Sequence, residues 1–373
     1  MQTKLAREMG LEFPIFAFTH CRDVAAAVSK AGGLGVLGVA GHSLGALRME
    51  LEWIEKEVGD KPYGVDLLLP TKFAGSERGG FDEAQLDERV PEQHRRFLND
   101  LLVQHDVPPL PPQTRLSREF SVGYEQQREV IELLFEHRIS LIASALGPPP
   151  AWMIERGREQ GVKVAALAGT REHALRHAEA GADIVVAQGY EAGGHTGEIS
   201  TMVLVPEVVD AVSPLPVLAA GGIGNGRQVT AALALGAQGV WTGSLWLTTE
   251  EAETHPVVKQ KFLKAGSGDT LRSRSLTGKP ARQLRSAWTD AWNDPGNPDP
   301  LPMPLQGRLI REAQERISRT AHKSPGAEQL INYFVGQIVG SMNQVRSVRS
   351  VVEELVQEYA DTMERLDHWA EGE

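Results

Sequence analysis

The chain has little cysteine and no long apolar run. Cys21 is the single cysteine among 373 residues, which excludes an internal disulfide and a metal site built from several thiolates, and agrees with a reducing compartment. Apolar runs of transmembrane length are missing, and the first residues lack the apolar core of a signal peptide. We therefore expect a cytoplasmic protein with no membrane partner.

Positive charge is also scarce. Lys and Arg number 38 against 49 Asp and Glu, and the resulting formal net charge of −11 argues against a nucleic-acid partner or an anionic membrane surface. The hydrophobic fraction of 41% and the charged fraction of 23% are typical of a globular protein. The chain is long enough to bury the core of a large α/β domain with additions.

Short apolar runs alternate with amphipathic segments through the first two thirds of the chain. Eight runs have the length and composition of buried strands, and each precedes a helix or a helical segment, such as the helix expected to start at Pro206. Eight such units within roughly 250 residues predict a (β/α)8 TIM barrel over residues 1–248, with an open doubly wound sheet as the alternative. The runs are 14–18, 34–38, 63–69, 139–144, 162–167, 184–186, 216–220 and 239–243.

Two segments depart from this alternation. Residues from about 70 to 118 are charged and end near a proline cluster, which predicts a helical insertion after the third strand. We expect it to be solvated decoration or a subunit contact in a homo-oligomer. Residues 249–373 predict a C-terminal helical appendage that packs on the barrel, with helices over 249–266, 309–321, 328–339 and 351–366.

Glycine-rich segments follow the last three predicted strands, where barrels bind ligands and often a phosphate. After the seventh strand, free amides and the N-terminus of the helix at Arg227 would favour an anion. Arg227 stands where a dinucleotide fingerprint needs its third glycine, and no Gly-Lys-Ser/Thr motif is present. A mononucleotide such as FMN therefore fits better than NAD or ATP.

The segment around His195 carries a specific resemblance. Residues 188–197 read Gln-Gly-Tyr-Glu-Ala-Gly-Gly-His-Thr-Gly, and residues 219–223 read Ala-Ala-Gly-Gly-Ile, with Gly243-Ser244 later. This combination resembles the nitronate monooxygenase family of FMN-dependent TIM-barrel oxidoreductases, whose related members include NAD(P)H:quinone reductases and enoyl-acyl-carrier-protein reductases. Supporting matches lie at residues 27–35, 278–282 and 336–337.

The resemblance implies an FMN cofactor, His195 as catalytic base, a small nitroalkane or nitronate substrate, O2 as oxidant and no metal. A neutral imidazole can take a carbon-bound proton near neutral pH. Gln188 and Gly193 would contact the flavin, and Gly222 with residues 241–244 would hold its phosphate. The full predicted cofactor set is Asp66, Gln188, Gly193, Gly194, Gly221, Gly222, Trp241, Thr242, Gly243 and Ser244.

Two segments depart from the family pattern. The family's third strand normally carries Asn where this chain has Asp66, and the turn at residues 16–23 is bulkier than the family's Ala-Pro-Met segment. An ionised carboxylate accepts hydrogen bonds but cannot donate them, so Asp66 would disfavour an electron-rich flavin edge unless it is protonated or paired. Two alternatives stay open: an NAD(P)H-dependent FMN reductase acting on a quinone or an enoyl or acyl thioester, and a flavin-binding barrel without turnover.

Other polar and aromatic residues receive structural interpretations. His173 and His177 are four residues apart on one predicted helix, which we expect to be a solvated or salt-bridged face. His20 and Cys21 follow the first strand, and an ordinary loop role is favoured over contact with substrate. Trp288 and Trp292 are expected to pack the appendage.

Overall fold

The computed structural model describes residues 1–114, 116 and 124–371, with a closed barrel of eight parallel strands at its centre. The end of the predicted insertion, at 115 and 117–118, and residues 372–373 lie outside this part of the chain. The first nine strands are β1 (Ile15–Thr19), β2 (Leu34–Gly38), β3 (Tyr63–Leu68), β4 (Leu141–Ala145), β5 (Lys163–Ala168), β6 (Ile184–Gln188), β7 (Gly194–His195), β8 (Val217–Ala220) and β9 (Gly239–Thr242). All except β7 belong to the barrel, which closes by pairing β9 with β1. The predicted TIM barrel is confirmed.

Helices cover the barrel and form the additions to it. The helices are α1 (Lys4–Glu8), α2 (Arg22–Lys30), α3 (Leu44–Val58), α4 (Glu83–Glu88), α5 (Glu92–Gln104), α6 (Tyr124–Phe135), α7 (Ala151–Gln160), α8 (Arg171–Ala180), α9 (Thr201–Val212), α10 (Gly226–Ala234), α11 (Pro256–Lys264), α12 (Ala287–Asn293), α13 (Leu305–Thr320), α14 (Pro325–Leu330) and α15 (Val348–Glu371). The short helix α1 was not predicted, and its apolar residues pack into the barrel interior. In the described part of the chain, no helix is long and apolar enough to cross a bilayer.

The alternation of side chains along the strands determines which residues reach the mouth of the barrel. In β6, Ile184 and Val186 belong to the cluster that fills the barrel interior. Gln188, the next residue on that side, therefore lies at the C-terminal end of the strand. In β3, Val65 packs in the outer layer against the helices, so Asp66 points inward.

The insertion and the appendage share one hydrophobic cluster. Leu98 and Leu101 of α5 belong to the same cluster as Ile317 of α13 and the two tryptophans of α12. Trp288 and Trp292 are only 0% and 2% exposed, which confirms their predicted packing role. The last helix, α15, packs on α10 and α2 of the barrel.

Two helix predictions for the appendage were wrong in extent. The helix expected over 249–266 begins only at Pro256, where proline suits the first turn. The helix expected over 328–339 ends at Leu330 and gives way to an extended segment. Tyr333 accepts a hydrogen bond from the Leu284 amide, and the Gly336 amide donates to the Ser244 hydroxyl oxygen. These distant partners replace the hydrogen bonds that a helix would make.

A small antiparallel sheet was also not predicted. Strands β10 (Thr270–Ser273) and β11 (Ala281–Leu284) form a ribbon in the appendage, and β11 pairs on its other side with β7. Each strand is only two to four residues long and carries polar side chains, so the sequence shows no strand-like alternation of apolar residues.

Gly35 should tolerate no side chain, because a Cβ there would overlap the carbonyl oxygen of Ala25 in α2. We expect Gly35→Ala to lower the free energy of unfolding by about 3 kcal/mol, since overpacking against backbone cannot relax. Urea unfolding measures this. Gly45→Ala is the matched control: no atom lies within 4 Å of its added Cβ, and stability should stay equal or rise. Equal losses in the two variants would contradict the packing argument.

Candidate active site

A cavity of about 1310 Å³ opens at the C-terminal ends of the barrel strands. Every predicted site residue lines it: Asp66, Gln188, Gly193, Gly194, His195, Gly221, Gly222, Trp241, Thr242, Gly243 and Ser244. The insertion contributes Leu86, and the appendage contributes Thr277, Lys279 and Phe334. The volume exceeds that of a typical pocket for one small ligand, so it has room for a cofactor and a second molecule.

The loop after β6 is held by the side chain of Glu191. Its carboxylate accepts hydrogen bonds from the Thr201 amide at 3.0 Å and from the Thr201 hydroxyl at 2.8 Å. A carboxylate at this position caps the first turn of α9 and favours the positive end of the helix dipole. The helix therefore begins at Thr201, and the predicted start at Pro206 was wrong. The cap comes from a residue ten positions away, so the local sequence does not show it.

The backbone of His195 is held by the appendage. In the pairing of β7 with β11, Gly194 lies opposite Arg282, and His195 lies opposite Ala281. Arg282 is only 2% exposed. Its Nε donates to the Tyr190 carbonyl oxygen at 3.0 Å, and its guanidinium lies 4.4 Å from the centre of the Tyr190 ring. Strand β11 of the appendage therefore holds the loop of His195 at two places, at Tyr190 and at His195 itself.

Gly193 lets the appendage approach the barrel closely. An added Cβ would lie 2.8 Å from the Gly336 nitrogen and 3.1 Å from the Ser244 hydroxyl oxygen. The Gly336 amide also donates to this hydroxyl oxygen at 2.7 Å. A contact within the protein thus accounts for glycine at position 193, while its contact with flavin remains a prediction.

His195 is neutral at physiological pH. Burial first, and then the positive charge of Lys279, lower the pKa of its imidazole from 6.5 to about 4. Its Nε2 lies 2.9 Å from the Thr277 hydroxyl oxygen, and its ring centre lies 6.3 Å from that of Phe334. An uncharged imidazole in a cavity can accept a proton, as a general base must.

Three amides around the N-terminus of α10, in the predicted anion site after the seventh barrel strand, have partners within the protein. Gly226 donates to the Glu358 carboxylate of α15 at 2.6 Å. Gln228 donates to the Asn225 side chain at 3.0 Å, and Gly224 donates to the Gln228 side chain at 2.8 Å. A carboxylate from the last helix therefore occupies the position that an anion would take.

Four other amides at the cavity are free to bind an anion. The amides of Gly222, Ile223, Gly243 and Ser244 have no hydrogen-bond acceptor among the described residues. Gly222 adopts a left-handed backbone with φ of +70°. The Ser244 hydroxyl accepts from Gly336, so its own proton remains available for a ligand. These groups follow β8 and β9, where barrels commonly bind a phosphate.

Two residues of the predicted phosphate set have structural contacts of their own. Trp241 is stacked on Phe16 inside the barrel, with ring centres 6.5 Å apart. The Thr242 hydroxyl donates to the Phe16 carbonyl oxygen at 3.3 Å and accepts from the Trp246 indole at 3.1 Å. Both residues line the cavity, but their side chains contact Phe16 and Trp246 within the protein.

Asp66 is a buried acid without a charged partner. It is 4% exposed, and its Oδ2 has no hydrogen-bond partner among the described residues. Burial raises the pKa of its carboxyl group well above the usual value. This shift favours the protonated acid, which can donate a hydrogen bond to an electron-rich flavin edge.

Histidine and cysteine residues near the cavity differ in their surroundings. The predicted solvated face is wrong for His177, which is 4% exposed and has Nε2 3.0 Å from the Leu167 carbonyl oxygen. His173, His20 and Cys21 line the cavity. Burial raises the pKa of the Cys21 thiol, so this thiol is a poor nucleophile.

Comparison with known proteins identifies the family. A family model described as "Nitronate monooxygenase" matches residues 11–358. The chain belongs to the nitronate monooxygenase family. It is therefore an oxidoreductase enzyme of a flavin-dependent family, as the resemblance implied.

Relatives with assigned names agree with this family. The Mycobacterium tuberculosis protein Rv1533, whose name suggests a monooxygenase, is 59% identical over 98% of both chains. A "Probable nitronate monooxygenase" of Bacillus subtilis is 29% identical over 90% of this chain and 91% of its own.

Two solved structures share the fold over nearly the whole chain. Nitroalkane oxidase from Streptomyces ansochromogenes superposes with a TM-score of 0.79 at 25% identity, over 97% of this chain and 99% of its own. FabK from Thermotoga maritima gives a TM-score of 0.72 at 26% identity, over 99% of both chains.

Three residues around His195 were not predicted as site residues: Thr277, Lys279 and Phe334. Thr277 and Lys279 flank Gly278 in a segment that matched the family pattern, so the sequence pointed to this region without assigning it a role. Phe334 lies close to the matched pair at 336–337. Their effect on His195 depends on the pairing of β7 with β11, which the sequence does not show.

The protonated state of Asp66 predicts a pH-dependent effect on stability. Since its pKa is higher in the folded chain, the unfolded chain loses this proton first, and wild-type stability falls as pH rises toward the folded-state pKa. Asp66→Asn has no such proton, so its stability relative to wild type should increase between about pH 5 and about pH 8. Urea unfolding at both values tests this, with the exposed Asp60→Asn as control. A pH-independent difference between Asp66→Asn and wild type would contradict it.

Lys279 should control the protonation of His195. Lys279→Met removes a positive charge, so the pKa of His195 should rise from about 4 toward, but not to, 6.5, since burial remains. NMR titration of the His195 ring signals measures this, with assignment by the loss of the signals in His195→Asn. Lys72→Met is the control, because Lys72 lowers the pKa of Lys279 without contributing to that of His195. An unchanged His195 pKa in Lys279→Met would show that burial alone sets it.

Proposed function

We propose that the chain is an FMN-dependent nitronate monooxygenase that oxidises nitronates or nitroalkanes with O2, and that His195 is its catalytic base. The observation that supports this most is the position of His195 in a cavity that also contains four free amides for an anion. The names of the Bacillus subtilis relative and of the Streptomyces ansochromogenes structure support the same chemistry.

The residues at the cavity fit a flavin mononucleotide. The free amides of 222–223 and 243–244 would hold one phosphate, and the Ser244 hydroxyl would add a donor. The side-chain amide of Gln188 makes no hydrogen bond to the described residues and is available to the flavin ring. Asp66, as a neutral acid, would donate to an electron-rich edge of that ring. We observe one such group of free amides at these two loops, which suits a mononucleotide.

The chain's own residues would perform the proton chemistry. His195 takes the proton from the carbon next to the nitro group, which leaves the electron pair delocalised over the nitro oxygens and the imidazole positively charged. The positive charge of Lys279 keeps the imidazole neutral before this step and favours the anionic product. When bound, the flavin supplies the electron acceptance that no side chain at the cavity offers, with O2 as the final acceptor.

An NAD(P)H-dependent reductase acting on a quinone or an enoyl or acyl thioester is the second candidate. The size of the cavity favours it, because about 1310 Å³ admits more than a flavin and a small nitroalkane. The likeness to FabK adds support. Lys72 and Lys279 at the cavity could meet the negative charge of a nicotinamide dinucleotide or of a phosphate-bearing thioester.

Anaerobic mixing of the flavin-loaded protein separates these functions. Loss of the oxidised flavin absorbance on addition of a nitronate supports the monooxygenase, and its loss on addition of NADH or NADPH supports the reductase. Absence of reduction by either would support a flavin-binding barrel without turnover. A purified protein that takes up no FMN would overturn the cofactor proposal.

His195→Asn should lose nitroalkane turnover by about 10²- to 10⁴-fold, as expected when a general base is removed. A preformed nitronate has already lost the proton, so its oxidation should fall less. Oxygen consumption with each substrate measures the two rates, and flavin absorbance shows whether the cofactor stays bound. His173→Asn makes the same change elsewhere at the cavity and should leave both rates near wild type. Wild-type nitroalkane turnover in His195→Asn would overturn the base assignment.

A further inference from the structure

Thr277 lies in the connection between β10 and β11, half-buried at the edge of the cavity. Its hydroxyl oxygen is 2.9 Å from Nε2 of His195, across 82 positions of the chain. No other hydrogen bond of the His195 ring is found among the described residues. Within the described residues, Thr277 is therefore the one hydrogen-bond partner of the His195 ring.

The connection that carries Thr277 is rigidly held. The Gly278 amide donates to the Arg274 carbonyl oxygen at 2.8 Å, and the Arg274 Nε donates back to the Gly278 carbonyl oxygen at 3.1 Å. Arg274 also donates to the Pro300 carbonyl oxygen at 2.7 Å. Gly278 has φ of +82°, and a Cβ there would lie 2.5 Å from the Met303 nitrogen, so only glycine fits this turn.

The backbone contacts of Thr277 decide the direction of its bond to His195. Its hydroxyl oxygen accepts from the Lys279 amide at 3.2 Å and donates its single proton to the Lys279 carbonyl oxygen at 3.1 Å. A hydroxyl has one proton and two lone pairs. With the hydroxyl proton on the Lys279 carbonyl oxygen, the remaining lone pair faces Nε2 of His195, and that nitrogen is then the donor.

We propose that Thr277 is a positioning residue that holds the His195 proton on Nε2 and leaves the lone pair on Nδ1, the atom that takes the proton from substrate. This inference rests on the proposed role of His195 as base. Nδ1 has no hydrogen-bond partner among the described residues and is not sealed within the protein, since it does not occur among the fully buried unpartnered atoms. When Nδ1 gains the substrate proton, the ring becomes positively charged and its Nε2–H bond to Thr277 strengthens.

The geometry of the small sheet supports this role. His195 of β7 pairs with Ala281 of β11, and Thr277 lies four residues before Ala281 on the same ribbon. The base thus lies on β7, and its hydroxyl partner lies in the connection that leads directly into the neighbouring strand β11. The distance between the His195 ring and the Thr277 hydroxyl is therefore set by the strand pairing and by the hydrogen bonds of the connection.

The test compares Thr277→Val and Thr277→Ser in the flavin-loaded enzyme. Valine has nearly the shape of threonine but leaves Nε2–H against a methyl group, so the proton should move to Nδ1, where it can meet water. Serine keeps the hydroxyl and should behave as wild type. ¹⁵N NMR of histidine-labelled protein reports which ring nitrogen carries the proton, and the His195 signals are assigned by their absence in His195→Asn.

We expect wild type and Thr277→Ser to carry the proton on Nε2, and Thr277→Val to populate the Nδ1–H form. In Thr277→Val, kcat for a nitroalkane should fall roughly five- to tenfold, the factor associated with one neutral hydrogen bond, with KM and flavin content near wild type. Oxidation of a preformed nitronate should change little.

Three results would overturn the inference. They are a proton on Nδ1 in wild type, an unchanged tautomer in Thr277→Val, and a loss of kcat in Thr277→Ser equal to that in Thr277→Val. Failure of the proposed function has a different signature: nitroalkane turnover in His195→Asn would equal that of wild type, whichever tautomer the NMR shows.

Discussion

The pairing of β7 with β11 holds the catalytic candidate in place, and much of the site depends on it. Two residues of the loop after β6, Gly194 and His195, form a strand because Arg282 and Ala281 lie beside them. The same contact brings Lys279 to the imidazole. The barrel supplies the floor of the cavity, but the β10–β11 ribbon, which lies outside the barrel, sets the environment of His195.

Two titratable side chains of the cavity, Asp66 and His195, have pKa values shifted in the direction that favours their uncharged forms. Burial raises the pKa of Asp66 and lowers that of His195, so each shift favours the uncharged form of its group. Folding stability is lost when polar groups are buried without partners, and the free amides after β8 and β9 add to that cost. Such a concentration of unsatisfied groups is typical of a site prepared for a ligand.

The barrel could be predicted from the sequence because its signals are local. Each strand is a short apolar run next to a helix, which a local window shows. Gln188 and Asp66 were assigned to the site by the family resemblance, and the alternation of side chains in the structure places both at the mouth. The segments around Gly222 and His195 were recognisable by their glycines and their family pattern. Their assignment to one cavity followed from the rule that strand ends of a barrel face the same side.

The rest depends on contacts between distant parts of the chain. Thr277 meets His195 across 82 positions, and Glu358 meets Gly226 across 132 positions, so neither pattern is visible in a local window. The first of these contacts is the only hydrogen bond of the His195 ring among the described residues. In the second contact a carboxylate from the last helix satisfies the Gly226 amide, so this amide of the predicted anion site is used within the protein.

That second contact, which caps α10, also has a consequence for how the protein is made. Gly226 and the strands of the barrel leave the ribosome well before Glu358, and the extended segment that reaches Ser244 also comes late in synthesis. The strands of the barrel are therefore synthesised before the ribbon, the segment and the cap that complete its mouth. The surroundings of the catalytic candidate thus combine early and late parts of the chain, and the site is complete only after the last helix has been made.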